Sequence, residues 1–148
     1  MKRWPLLTPV AIFAVACFLP AIDFRYTNGT HDPMWGFSAA LTGWSGIFVG
    51  IHTWFANPLW LLGLILAFFR KRIAAVALGL LTIPIALTTY SVLGRELPAD
   101  EGNVNHMTAM RLLPAFYVWI AALASMPLAA LFVGPKRAEP IAERFSRN

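Results

Sequence analysis

The chain has 148 residues, of which 58% are hydrophobic and 13% charged, with a formal net charge of +5 and a mean hydropathy of +0.62. A soluble domain is about 45–50% apolar and about 25% charged, and a chain this short leaves much of its surface in water. The composition excludes an ordinary soluble enzyme and a disordered chain, and the single cysteine excludes a secreted disulfide scaffold.

Four apolar stretches follow in chain order, at about residues 4–22, 46–69, 73–93 and 112–134, and none contains Asp, Glu, Lys or Arg. At 1.5 Å per residue each is long enough to cross a hydrocarbon core of about 30 Å. The pattern predicts an all-α membrane protein, a four-transmembrane-helix bundle forming a single integral membrane domain over 1–148. Met1-Lys2-Arg3 before the first stretch resembles a signal sequence, and Ala14-Val15-Ala16-Cys17 resembles a lipoprotein cleavage site. The apolar run continues through Phe18, Leu19, Ala21 and Ile22, so it reads as a retained span.

Two outer loops, 23–45 and 94–111, separate the spans. Pro33 to Trp44 is rich in interfacial aromatics and reads either as an amphipathic helix lying on the membrane surface or as an irregular aromatic belt. The second loop is polar and turn-rich, exposed or docked on the first. Nine of the twelve basic residues (Lys2, Arg3, Arg70, Lys71, Arg72, Lys136, Arg137, Arg144 and Arg147) lie at the termini and in the turn after the second span. Five of the seven acids (Asp23, Asp32, Glu96, Asp100 and Glu101) lie on the opposite side. The positive-inside rule then puts both termini in the cytoplasm. The net positive charge is a topology signal, and no nucleic-acid partner is expected.

Buried polarity is the clue to chemistry, because polar groups are expensive in lipid. It concentrates in an intramembrane notch of His52, Thr53 and Asn57. With Gly46 at the outer interface, His52 lies about 9 Å deep and Asn57 about 16 Å deep, with Asn57-Pro58 as a helix kink. A second candidate is an outer-face metal site of His31, His52 and His106, with Asp32, Asp100, Glu101, Met107 and Met110 nearby; these are ligand types for zinc or copper. No pair among them has metal-ligand spacing. Trp35, Phe37, Trp44 and Trp54 are candidate contacts to a partner or to lipid. No catalytic residues are assigned, since GxSxG, Walker, GxGxxG and CxxC motifs are absent, and no cofactor is expected. The rows Gly46-xxx-Gly50, Ala75-xxx-Gly79 and Ala121-xxx-Ser125-xxx-Ala129 allow close helix contacts.

Trp54-Phe55-Ala56-Asn57-Pro58, the basic turn Arg70-Lys71-Arg72 and the acidic segment Glu96-Leu97-Pro98-Ala99-Asp100-Glu101-Gly102 together resemble a group of small four-span bacterial inner-membrane proteins with no assigned activity. The resemblance implies a bacterial inner-membrane location and carries no catalytic residue. The sequence favours an accessory or interaction subunit of a larger membrane complex, more a non-enzyme than an enzyme. Self-association as a small homo-oligomeric channel or carrier, and an outer-face metal-handling protein or enzyme, are the rival readings.

Overall fold

The computed structural model describes residues 4–99 and 104–133. Its helical part is built from segments apolar on all sides, the pattern of helices buried in protein or lipid. α1 (Leu7–Cys17) follows a 3-10 turn at Trp4–Leu6. α3 (Ala56–Phe68) follows a 3-10 turn at Thr53–Phe55, and α4 (Arg72–Leu87) runs on into a 3-10 turn at Thr88–Val92. α5 (Pro114–Phe132) begins on Pro114, where a missing N–H costs nothing. α5 packs between α1 and α4, and α3 packs on α4.

Small side chains let these helices approach. Ala75, Ala86, Ala122 and Ala130 are fully buried, and Leu123 and Met126 are the largest fully buried aliphatic side chains of this layer. Met126 fills the space that Gly63 and Gly79 leave open; a Cβ at either glycine would come within 2.8 Å of its terminal methyl. Trp60 stacks on Phe13 with centroids 4.8 Å apart, and its indole N–H donates to the Ala122 carbonyl at 3.3 Å. The α3–α4 turn closes with Arg70 at φ 62°. There the Lys71 N–H bonds the Leu66 carbonyl at 2.8 Å and the Arg70 N–H bonds that of Ala67 at 2.9 Å, the two bonds of a Schellman cap.

At the other end of the helices lies a four-stranded antiparallel sheet: β1 (Pro20–Tyr26), β2 (His31–Trp35), β3 (Glu96–Pro98) and β4 (His106–Leu112), in the order β2-β1-β4-β3. β1 and β2 are joined by a turn with Gly29 at φ 82°, where Asn28 Oδ1 accepts from the Thr30 N–H and hydroxyl at 3.0 and 2.6 Å. β1 then pairs with β4 in the register Asp23–Arg111 and Phe24–Ala109, with an irregularity between them. The two outer segments are thus docked on each other as one sheet. Its helix-facing side forms a second small core of Phe24, Val92, Leu97 and Ala109.

The sheet corrects the all-α four-helix bundle expected from hydropathy, and so does helix length. Among the described residues two helices, Arg72–Val92 (21 residues) and Pro114–Phe132 (19 residues), are long and apolar enough to cross a membrane. The other apolar helices, Trp4–Cys17, Gly36–Val49 and Thr53–Phe68, are shorter. The first stretch stops at Cys17 because Pro20-Ala21-Ile22 pairs as strand. The second is interrupted at Gly50, φ 73°, and restarts as a helix at Thr53. The residues carrying the terminal basic clusters, and Asp100 and Glu101, lie outside the described residues.

Between β2 and Gly50 the chain forms α2 (Gly36–Thr42) and a 3-10 segment at Gly43–Val49, neither of which contains a buried residue. This flap starts close against α1. A Cβ at Gly36 would fall 2.1 Å from the Ala16 carbonyl oxygen, so only glycine fits there.

Candidate functional site: an apolar cavity under the sheet

The flap, the sheet and the sheet-side ends of the helices line an open-sided cavity of about 600 Å³, in the range of small-molecule sites, about 300–1,000 Å³. Ile22, Phe24 and Met107 line it from the sheet, Ala40, Gly43 and Val49 from the flap, and Phe13, Ala115 and Phe116 from the helices. None of the described lining residues is Asp, Glu, Lys, Arg or His. Its walls are mostly apolar and it opens to the outside, the shape of a cleft that an apolar guest can enter.

Two bonds fix the flap over the cavity. The Trp54 indole donates to the Ala40 carbonyl at 2.7 Å, its ring lying against Gly43. The Arg95 guanidinium, from the loop before β3, donates to the Val49 carbonyl.

The cavity's polar side chains are few. The hydroxyls of Thr42, Ser45 and Thr89 donate back to carbonyls of their own segments at 2.6–2.8 Å. Thr53 and Asn57 both line the cavity, as their i, i+4 spacing allows. Asn57 Oδ1 accepts from the Trp119 indole N–H at 2.8 Å. Cys17, the chain's single cysteine, is half-buried in the wall.

The notch expected from the sequence is therefore divided. Thr53 and Asn57 share the cavity, whereas His52 is exposed beside the helix start, its ring 6.4 Å from that of Phe55. The second apolar stretch is 3-10 helical up to Val49, breaks at Gly50 and turns helical again only from Thr53, so Asn57 lies in the first turn of α3 and near the sheet. Pro58 starts this helix without kinking it.

The three histidines occupy separate places. His31, on outer strand β2, lies 3.4 Å from the buried Asp23, which also receives the Arg111 guanidinium at 3.0 Å. His106 begins β4, its backbone N–H and carbonyl bonded to the Thr27 side chain. Among the described residues no group of three His, Cys, Asp or Glu is placed to hold a metal ion.

Of the aromatic contacts, Trp35, Phe37 and Trp44 are 51%, 58% and 52% exposed on the flap and its approach, while Trp54 is turned into the cavity wall. Sequence reasoning missed Trp119, Arg95 and the buried Asp23. Of these, only Asp23 carried a signal, as a lone acid in the apolar-aromatic run Ala21-Ile22-Asp23-Phe24.

The cavity is mostly apolar, with Thr53 and Asn57 the lining side chains that keep a donor without a described partner, and with no described ionisable group other than the Cys17 thiol. No protein-family profile matches the chain, and no curated protein or solved structure matches it.

Proposed function

We propose that the chain is an integral protein of the inner membrane that works by binding, as an accessory subunit whose cavity takes up one apolar chain of a membrane-soluble molecule. The cavity itself carries this reading: an open cleft of about 600 Å³ with mostly apolar walls leaves apolar area that a guest would cover, at about 25 cal/mol per Å². The membrane setting is supported by the outer surface of the helices, where Ile73, Phe132 and Trp4 are 88%, 75% and 71% exposed. Single exposed apolar side chains are ordinary on soluble proteins, but here they recur along each helix of the layer, Leu7 on α1, Leu61 and Ile65 on α3, Leu80 on α4 and Leu128 on α5 among them. The flap's exposed Trp35, Phe37 and Trp44 are the aromatic type enriched at interfaces and offer the partner-facing surface of such a subunit.

The test is retention of a ligand. Protein purified in mild detergent and delipidated by exchange is extracted and weighed by mass spectrometry. About one apolar molecule per chain is expected to survive exchange in the wild type and to be lost in Ala39→Leu, which fills the cavity from the flap. Equal retention in both proteins, or none in the wild type, would overturn the proposal.

A further inference from the structure

The cavity's hydrogen-bond inventory restricts its ligand, given the binding role proposed above, on which this inference rests. An indole can only donate, so the Asn57 atom facing Trp119 at 2.8 Å is the side-chain oxygen. The Asn57 amide NH2 is thereby directed elsewhere, and no described residue accepts from it. One helical turn earlier on the same face, the Thr53 hydroxyl also has no described partner. The other cavity hydroxyls are bound to their own backbone. What remains for a ligand is a pair of donors, one amide and one hydroxyl, in an apolar cleft.

Those donors call for an acceptor, and the absence of described cationic residues from the lining makes a buried anion expensive. We infer that the cavity takes an uncharged carbonyl on an apolar chain, the carbonyl oxygen accepting from Asn57 Nδ2 and the Thr53 hydroxyl while the chain lies against the sheet's apolar face. Two membrane sources share that chemistry, the ester of an acyl lipid and the ring carbonyl of a prenylated or alkylated quinone.

The experiment uses the full chain reconstituted in bilayers of dialkyl-ether phosphatidylcholine, which contain no carbonyl. Alkylation of Cys17 by N-ethylmaleimide, followed by intact mass, reports occupancy. The probes are methyl oleate, a fully substituted alkylquinone and a hydrocarbon of matched length. A neutral hydrogen bond is worth about 1 kcal/mol, or about fivefold in affinity. At least one carbonyl probe is therefore expected to protect Cys17 at about fivefold lower concentration than the hydrocarbon, and the probe that does so names the source. Asn57→Leu is expected to abolish that preference and leave protection by the hydrocarbon unchanged, with Thr53→Val reducing it in part. Should Asn57→Leu fail to fold, Thr53→Val decides alone. Carbonyl and hydrocarbon probes protecting equally in the wild type, or a preference that survives in every variant that folds, would overturn the inference and leave the binding role standing. Protection by none of the probes would overturn the binding role itself.

Discussion

The two ends of the helix layer solve opposite packing problems with the same residue types. Away from the sheet, α3, α4 and α5 meet through Gly63, Ala75, Gly79 and Ala122, and Met126 occupies the space between them. Near the sheet, the ends of α1, α3, α4 and α5 part around a cavity of about 600 Å³. α5 takes part in both, with Ala122 fully buried in the packed end and Trp119 lining the cavity, while Ala39 of α2 lines the cavity from the flap and is half-buried. A methyl group that faces a space wide enough for water keeps exposed area, so exposure separates the close-packed alanine from the one facing the cavity. Their difference lies in what the next methyl group would meet.

The same substitution at both places is the largest test of that contrast. Ala122→Leu forces three extra carbons against Trp60 and the helix backbones, and overpacking a close-packed site costs about 1–3 kcal/mol. Ala39→Leu places them in the cavity and is expected to cost less than about 1 kcal/mol. Unfolding in mixed micelles checks both, and equal losses would break the comparison.

The next effect falls on the sheet end. Asp23 on β1 sits between His31 of β2 and Arg111 of β4 and is 7% exposed. Its partners are largely open to water, so much of their attraction is screened. Asp23→Asn keeps the shape and removes the charge, and is expected to lower stability by about 1–2 kcal/mol through weaker hydrogen bonds. If the sheet is anchored to the helices independently of this carboxylate, the same titration would show no change.

How much of this was legible in the sequence follows from where each signal lay. The third and fourth apolar stretches, read as 73–93 and 112–134, fall on the helices Arg72–Val92 and Pro114–Phe132, because an unbroken apolar run ended by Arg or Pro leaves little choice. Pro20-Ala21-Ile22 was absorbed into the first helix because a short apolar run looks the same in helix and strand. Gly46–Val49, itself 3-10 helical, was joined to the second because the apolar run continues through it, and its break at Gly50 depends on a positive φ that composition does not reveal. Thr53 and Asn57 were legible as a pair four residues apart. His52, adjacent in sequence, is exposed because it precedes the first helical residue, Thr53, and so does not share the helix face of Thr53 and Asn57. Trp119, which turns Asn57, is 62 residues distant, and the cavity is a gap in packing that no local pattern records.

The flap provides a smaller test. Arg95 donates to the Val49 carbonyl and, among the described residues, has no carboxylate partner. Arg95→Ala removes a charge-assisted bond between the flap and the loop before β3, leaving the Trp54–Ala40 bond in place. A surface-exposed bond of this kind is worth about 1 kcal/mol, so Cys17 alkylation is expected to speed up by about fivefold with little change in overall stability. An unchanged rate would mean that Trp54 alone holds the cavity wall.

The smallest effect belongs to the packed end and has the opposite sign. Arg70 holds φ 62° at the Schellman position after α3, where glycine is the usual residue because a Cβ there is strained by about 1–2 kcal/mol. Arg70→Gly relieves that strain and returns part of the gain through the greater freedom of glycine in the unfolded chain. The net expectation is a stabilisation of about 0.5 kcal/mol, measured in the same micelle titration. Because the turn lies at the far end of α3 from Asn57, the substitution should leave Cys17 protection by any probe unchanged. A stabilised turn that also altered protection would show that the two ends are coupled through α3, and the contrast between a closed end and an open one would then describe a single cooperative unit.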